Sequence, residues 1–183
     1  MNHAVSRVSQ SAMNGKLTST ARALLAASLL LVAVHGASSA EPVEGKHYKL
    51  LKPAQPSEAA PGKVGVIAVF WYACGHCYLL EPKLESWNKT GRAPNVQLIR
   101  LPATWNPAVK NHARVFYTIE LLGKPHLHNE VFREINAKGN RLDTPEKIEE
   151  FFVARGVSKA EFQKTFSSFA VASKLLHAED LNR

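Results

Sequence analysis

The 183 residues contain only two cysteines and two methionines. Both methionines, Met1 and Met13, lie in the first forty residues, and both cysteines lie in one tetrapeptide, Cys74-Gly75-His76-Cys77. This scarcity excludes several chemistries. A structural zinc site needs four ligands, and the chain offers no second Cys-X-X-Cys and no His-X-X-X-His pair. Covalent haem attachment needs a histidine directly after the second cysteine, and residue 78 is Tyr78. A copper(I) carrier using the two thiolates is a third option, disfavoured by the lack of methionine after residue 13. No basic stretch is interleaved with aromatics in a nucleic-acid pattern, so nucleic acid is not an expected partner. There is no internal repeat. No metal and no cofactor are expected.

The first forty residues also lack any acid. Arg7, Lys16 and Arg22 precede an apolar stretch of twelve residues, 23–34, and small residues Ser38, Ser39 and Ala40 follow before Glu41. This is the pattern of a secretory signal over residues 1–40, with Met13 an alternative start. Twelve residues are too few to cross a bilayer as a helix, which takes about 20. No cysteine follows the run, so a lipoprotein signal does not fit. Removing the signal leaves 143 residues, enough for one domain, with 20 basic and 15 acidic residues and a net charge of +5. Two cysteines behind a signal point to an oxidising compartment.

What is present is concentrated in residues 64–87. Val64, Val66, Ile67, Val69, Phe70 and Trp71 make a run apolar enough for a strand buried on both faces. After Cys77, Leu80, Leu84 and Trp87 recur along one face of a helix, although Pro82 should kink it. The dithiol therefore sits at a strand-to-helix turn, with Cys74 at the helix start. Free N–H groups and the positive dipole end there favour a thiolate. A thiol of pKa about 8.5 is about 3% ionised at pH 7, whereas one at about 6 is about 90% ionised. Cys77, one turn on and less exposed, suits a resolving role. His76 can donate a hydrogen bond or a positive charge to the thiolate, which would make the disulfide more oxidising. A structural disulfide is the alternative reading of the pair. Glu81 lies one turn beyond Cys77 and is either an exposed helix acid or a candidate proton relay.

The remaining elements are simpler. Residues 47–51 can form a short edge strand, and residues 52–62, with Pro53, Pro56 and Pro61, read as a loop. Residues 96–101 read as a second core strand with Val96, Leu98 and Arg100 on one face. From Asn106 the pattern is helical. Asn106-Pro107 starts one helix that ends at Gly123. A second runs from about Pro125 to Gly139 on Leu127, Val131 and Ile135. Thr144-Pro145 starts a third, ended by Gly156. Ser158 with Glu161 starts a fourth, and a fifth begins near Phe169. The aromatic stripes read as core. His112, His126, His128 and His177 are scattered, with His126 and His128 both read as surface residues.

The stretch Phe70-Trp71-Tyr72-Ala73-Cys74-Gly75-His76-Cys77-Tyr78, with Glu81-Pro82 and Leu84-Glu85-Ser86-Trp87, resembles the DsbA family of periplasmic thiol:disulfide interchange proteins. The resemblance extends through Arg100-Leu101-Pro102-Ala103 and His112-Ala113-Arg114 to residues 166–171. It implies an α/β fold: a thioredoxin-like sheet with a helical insertion. The expected organisation is a signal over 1–40, an N-terminal strand and linker over 41–62, the Cys-X-X-Cys half over 63–104 and the helical insertion over 105–183. It implies catalytic Cys74, Cys77 and His76, with Cys74 and Cys77 as the redox-active disulfide. It also implies oxidation of reduced or unfolded secreted polypeptides, reoxidation by a membrane thiol oxidase, and the periplasm as location. Three departures stand out. Gly75-His76 replaces the family's usual Pro-His, as in protein disulfide isomerases, which suggests an isomerase or reductase as an alternative. Ala68 stands where the family carries a buried acid. The sequence stops at Arg183, before the family's cis-proline loop, two further strands and final helix. The expectation is a sheet of at most three strands, with an apolar face open and turnover impaired, and a non-catalytic peptide-binding remnant as the other alternative.

Overall fold

The computed structural model describes residues 41–56 and 58–183. The expected signal over residues 1–40 lies outside them. The chain divides into two units, residues 1–50 and 51–183. In the first, residues 41–50 are exposed throughout and form no strand, which corrects the edge strand expected at 47–51. Local bonds take the backbone groups instead. Gly45, at φ 81°, lets its own N–H reach the Tyr48 carbonyl at 2.8 Å, and the His47 N–H reaches Val43 at 2.9 Å. The Val43 N–H is held by His47 Nδ1 at 2.9 Å.

The second unit begins its regular structure with β1, Val64–Phe70, paired in parallel with β2, Val96–Pro102. Parallel strands need a crossover connection. It is supplied by α1, Gly75–Ser86, which continues into a π-helical turn, Trp87–Gly91. The register runs from Val64 opposite Val96 to Phe70 opposite Pro102, placing Ala68 directly opposite Arg100. The sheet has two strands among the described residues. β1 is not buried on both faces: Val64, Val66 and Val69 are exposed, and only its last residue, Phe70, is fully in the core. A strand with one neighbour and helices packed at its C-terminal end cannot hide the rest of its apolar surface.

Five helices complete the unit: α2 (Pro107–Leu121), α3 (Leu127–Asn136), α4 (Pro145–Val153), α5 (Lys159–Phe166) and α6 (Phe169–Leu181). Four start on side-chain caps. Asn106, Thr144, Ser158 and Ser168 accept from the backbone N–H groups of Val109, Lys147, Glu161 and Val171 at 3.1–3.4 Å. The chain leaves α2, α3 and α4 through left-handed Gly123, Gly139 and Gly156, a conformation open to glycine without steric cost. The core joins the sheet's end to these helices through Phe70, Tyr72, Phe116, Leu127, Phe132 and Phe152.

Candidate active site

β1 delivers the chain into the core at Phe70. The next three residues turn it toward α1, and the Cys74 N–H closes that turn on the Trp71 carbonyl at 2.9 Å. Cys74 is the N-cap of α1, with extended backbone (φ −85°, ψ 110°). Its Sγ accepts from the Cys77 N–H at 3.4 Å, so the thiol fills the place that a serine or aspartate oxygen takes at other helix starts. Both thiols are free and partly exposed. Cys77 packs against the hydrophobic core.

The environment separates the two thiols. Burial disfavours the Cys74 thiolate, but hydrogen bonds from the Cys77 side chain and from the Cys77 and His76 backbone N–H groups outweigh it and hold Cys74 below the ordinary thiol range. Burial pushes the Cys77 thiol up, and its hydrogen bond and proximity to Cys74 push the same way. The His76 ring is exposed. Its backbone N–H, one of the free donors of the first helical turn, adds to the larger support that Cys77 gives the Cys74 thiolate.

Glu81 is 3% exposed, which removes the reading as an exposed helix acid. Arg100 from β2 binds its Oε1 through both Nε and Nη2, with the Nε contact at 2.8 Å. His128 Nε2 lies 3.5 Å from its Oε2. Burial alone would raise the Glu81 carboxyl, yet His128 and Arg100 together bring it below the usual carboxylate range. His128 is therefore not a surface residue but buried beneath the motif, whereas His126 is exposed as expected. The spacing His128, Phe132, Ile135 puts the imidazole on the apolar face of α3 and was the sequence signal for its burial. Tyr72 is fully buried, with its hydroxyl 2.8 Å from His128 Nδ1. Burial, chiefly, and the nearby Glu81 keep the Tyr72 phenol well above its ordinary pKa, so it stays protonated. On the other side of the turn, Trp71 Nε1 donates to His112 Nδ1 at 2.9 Å, and His112 Nε2 faces the Arg141 carbonyl at 3.0 Å. The indole is a donor only, so His112 is neutral with its proton on Nε2. Burial holds it below the ordinary histidine range.

A dithiol with one thiol depressed and one raised, at a strand-to-helix turn, is an arrangement for thiol–disulfide exchange. No family model matches the chain. It is 40% identical over 162 residues to the thiol:disulfide interchange protein DsbA of Pseudomonas syringae pv. tomato, covering 87% of this chain and 73% of the relative. The DsbA proteins of Pseudomonas aeruginosa and Bordetella pertussis are each 35% identical, over 162 and 159 residues and 75% of their lengths. The chain belongs to the DsbA family. Solved structures agree. A single-residue variant of Pseudomonas aeruginosa DsbA matches with TM-score 0.72 and 34% identity, over 76% of this chain and 75% of that one. DsbA from Xylella fastidiosa matches with TM-score 0.70 and 26% identity, over 76% of both chains. The protein is thus a thiol:disulfide oxidoreductase with a thioredoxin-like fold and a helical insertion. Within this DsbA fold, Ala68 puts no acid opposite Arg100, and the guanidinium turns to Glu81 instead.

Proposed function

We propose that the protein is a dithiol oxidase acting at Cys74. In the oxidised state a substrate thiolate attacks Cys74 Sγ. The Cys74–Cys77 bond breaks, a mixed disulfide forms, and Cys77 leaves as a thiolate and takes a proton. A second substrate thiolate then attacks the substrate sulfur of that mixed disulfide and releases Cys74 as a thiolate. Two substrate thiols become one disulfide, and the enzyme keeps the two electrons as a reduced dithiol. The observation that carries this reading is Cys74 at the cap of α1, held low, beside Cys77, held high. A stabilised leaving thiolate at Cys74 favours donating the disulfide, which takes electrons from substrate, over giving electrons to substrate as isomerisation and reduction require.

The other site residues take subordinate roles. His76 acts through its backbone N–H, with its exposed ring placed to meet substrate. Glu81 is proposed as the carboxylate that receives the Cys77 proton when the reduced pair is reoxidised, the reverse of the proton uptake at Cys77 during substrate oxidation. It is ionised at neutral pH and so open to a proton, and its low affinity makes the transfer brief. Substrates are reduced secreted polypeptides, with Leu79 and Leu80 presenting exposed apolar surface on the motif helix. A membrane thiol oxidase reoxidises the pair. The basic and apolar sequence of residues 1–40 supports export to the periplasm as a signal.

The test is oxidation of a reduced two-cysteine peptide by the purified chain. Cys74→Ser should abolish turnover. Cys77→Ser, which has no internal disulfide to donate, should also fail to oxidise the peptide but should trap a mixed disulfide through Cys74 when glutathione disulfide is supplied. Peptide binding without oxidation in the unsubstituted chain would instead favour a binding role.

A further inference from the structure

We propose that His128 is a positioning residue of the dithiol site, one imidazole that holds the chain before Cys74 and the helix after Cys77 together. This rests on Cys74 and Cys77 being the reacting pair. The ring sits near the start of α3 with its side chain 8% exposed. It is packed edge-on between Phe70, at 5.2 Å and 88°, and Phe132, at 5.1 Å and 82°, with Phe116 at 5.6 Å. These rings fix its orientation.

The tautomer follows from its neighbours. Tyr72 is wholly buried, and His128 Nδ1 is the partner of its hydroxyl. A buried phenol that accepted from Nδ1 would leave its own proton without an acceptor, so Tyr72 donates and Nδ1 accepts. The proton of the neutral ring is then on Nε2, facing Glu81 Oε2 at 3.5 Å. That separation is long for a hydrogen bond, and Nε2 is the one buried side-chain polar atom among the described residues without a hydrogen-bond partner. Packing does not account for it. A leucine or methionine would fill a space among three phenylalanines without burying an unmet donor.

What an imidazole adds is a connection to both flanks of the motif. Tyr72 is two residues before Cys74, and α3 holds it twice: His128 takes the hydroxyl, and Asn136 Nδ2 donates to its backbone carbonyl at 2.8 Å. Glu81 is one turn past Cys77 on the same helix. Arg100 occupies its Oε1, and His128 directs a donor at Oε2, so both oxygens of the carboxylate face N–H donors. Loss of that donor exposes more of the Glu81 charge to the dithiol and loosens the turn that carries Cys74. Both effects disfavour the Cys74 thiolate. The titratable and charged groups around the ring are Tyr72 in the turn, Glu81 and Glu85 on α1 and Arg100 on β2. Glu120 on α2 and Lys174 on α6 line the same 700 Å³ cleft as His128.

The experiment compares the full chain with His128→Leu and His128→Gln. The thiolate absorbance of Cys74 is titrated against pH, the equilibrium constant with glutathione is measured, and thermal melting checks the fold. His128→Leu should move the Cys74 midpoint up and make the disulfide less oxidising by about tenfold, the upper end for one neutral hydrogen bond such as that between Tyr72 and the ring. His128→Gln, which can accept from Tyr72 and donate to Glu81, should recover most of both. A cooperatively folded His128→Leu with the unsubstituted midpoint and constant overturns the proposal. If that variant does not fold, Tyr72→Phe, which deletes only the hydroxyl, must shift the midpoint in the same direction, and no shift overturns it. Failure of the underlying reading is separately visible: the unsubstituted chain would then show no redox-linked titration at Cys74.

Discussion

Cys74 and Cys77 are three positions apart, yet their surroundings drive them in opposite directions. The difference is positional: one caps a helix and receives its free N–H groups, while the other is turned toward the core and faces a thiolate. Alkylation should read it directly. Cys74 should react with iodoacetamide with a pH midpoint below the ordinary thiol range, and Cys77 only at higher pH, as followed by mass spectrometry. Equal midpoints would contradict the assignment. Glu81 offers a second test at this scale. Glu81→Ala leaves Arg100 facing an apolar site, and the expected loss is about 3 kcal/mol, the low end for a buried pair because Arg100 keeps some solvent contact. The folded Glu81 carboxyl titrates below its unfolded value of about 4.3. Its contribution is therefore fully present above that value and lost as pH falls through the lower folded one. Urea unfolding should show the gap between Glu81→Ala and the unsubstituted chain at pH 7 and a narrower gap at pH 3.

Among the elements, the helices were the most legible in the sequence. Asn106-Pro107, Thr144-Pro145 and Ser158 each carry a cap chemistry that works over three residues, and each caps a helix in the structure. Removing one hydroxyl, as in Ser158→Ala, should cost about 1 kcal/mol in chemical denaturation. No effect would mean that α5 is held by packing alone. The dithiol turn was legible for the same reason, since an apolar strand, two cysteines and a helical stripe are contiguous. What sequence reading missed depends on distance along the chain. Tyr72 and His128 are 56 positions apart and Trp71 and His112 are 41 apart, and no local pattern announces either pair. Residues 47–51 misled for the opposite reason: their short apolar alternation fits a strand, but Gly45 closes a local turn that takes the backbone bonds first. The apolar run of β1 was read as doubly buried because composition reports hydrophobicity and not the number of neighbours.

At the scale of the whole molecule, the exposed valines of β1 have a consequence. Val64, Val66 and Val69 are 56%, 38% and 51% exposed on a strand paired along one edge among the described residues. Exposed apolar strands with an open edge associate with other chains. The purified chain should show concentration-dependent association in sedimentation, and Val64→Lys with Val69→Thr should reduce it. A monomer at all concentrations would show that this surface is covered in solution. The central claim, however, concerns the dithiol: that a helix-capping, stabilised Cys74 thiolate makes the Cys74–Cys77 disulfide an oxidant. The most direct measurement is its reduction potential, by equilibration with glutathione at pH 7. The account predicts a value nearer the about −120 mV known for DsbA itself than the about −270 mV of thioredoxin. A value at the thioredoxin end would contradict it and place the protein among reductases.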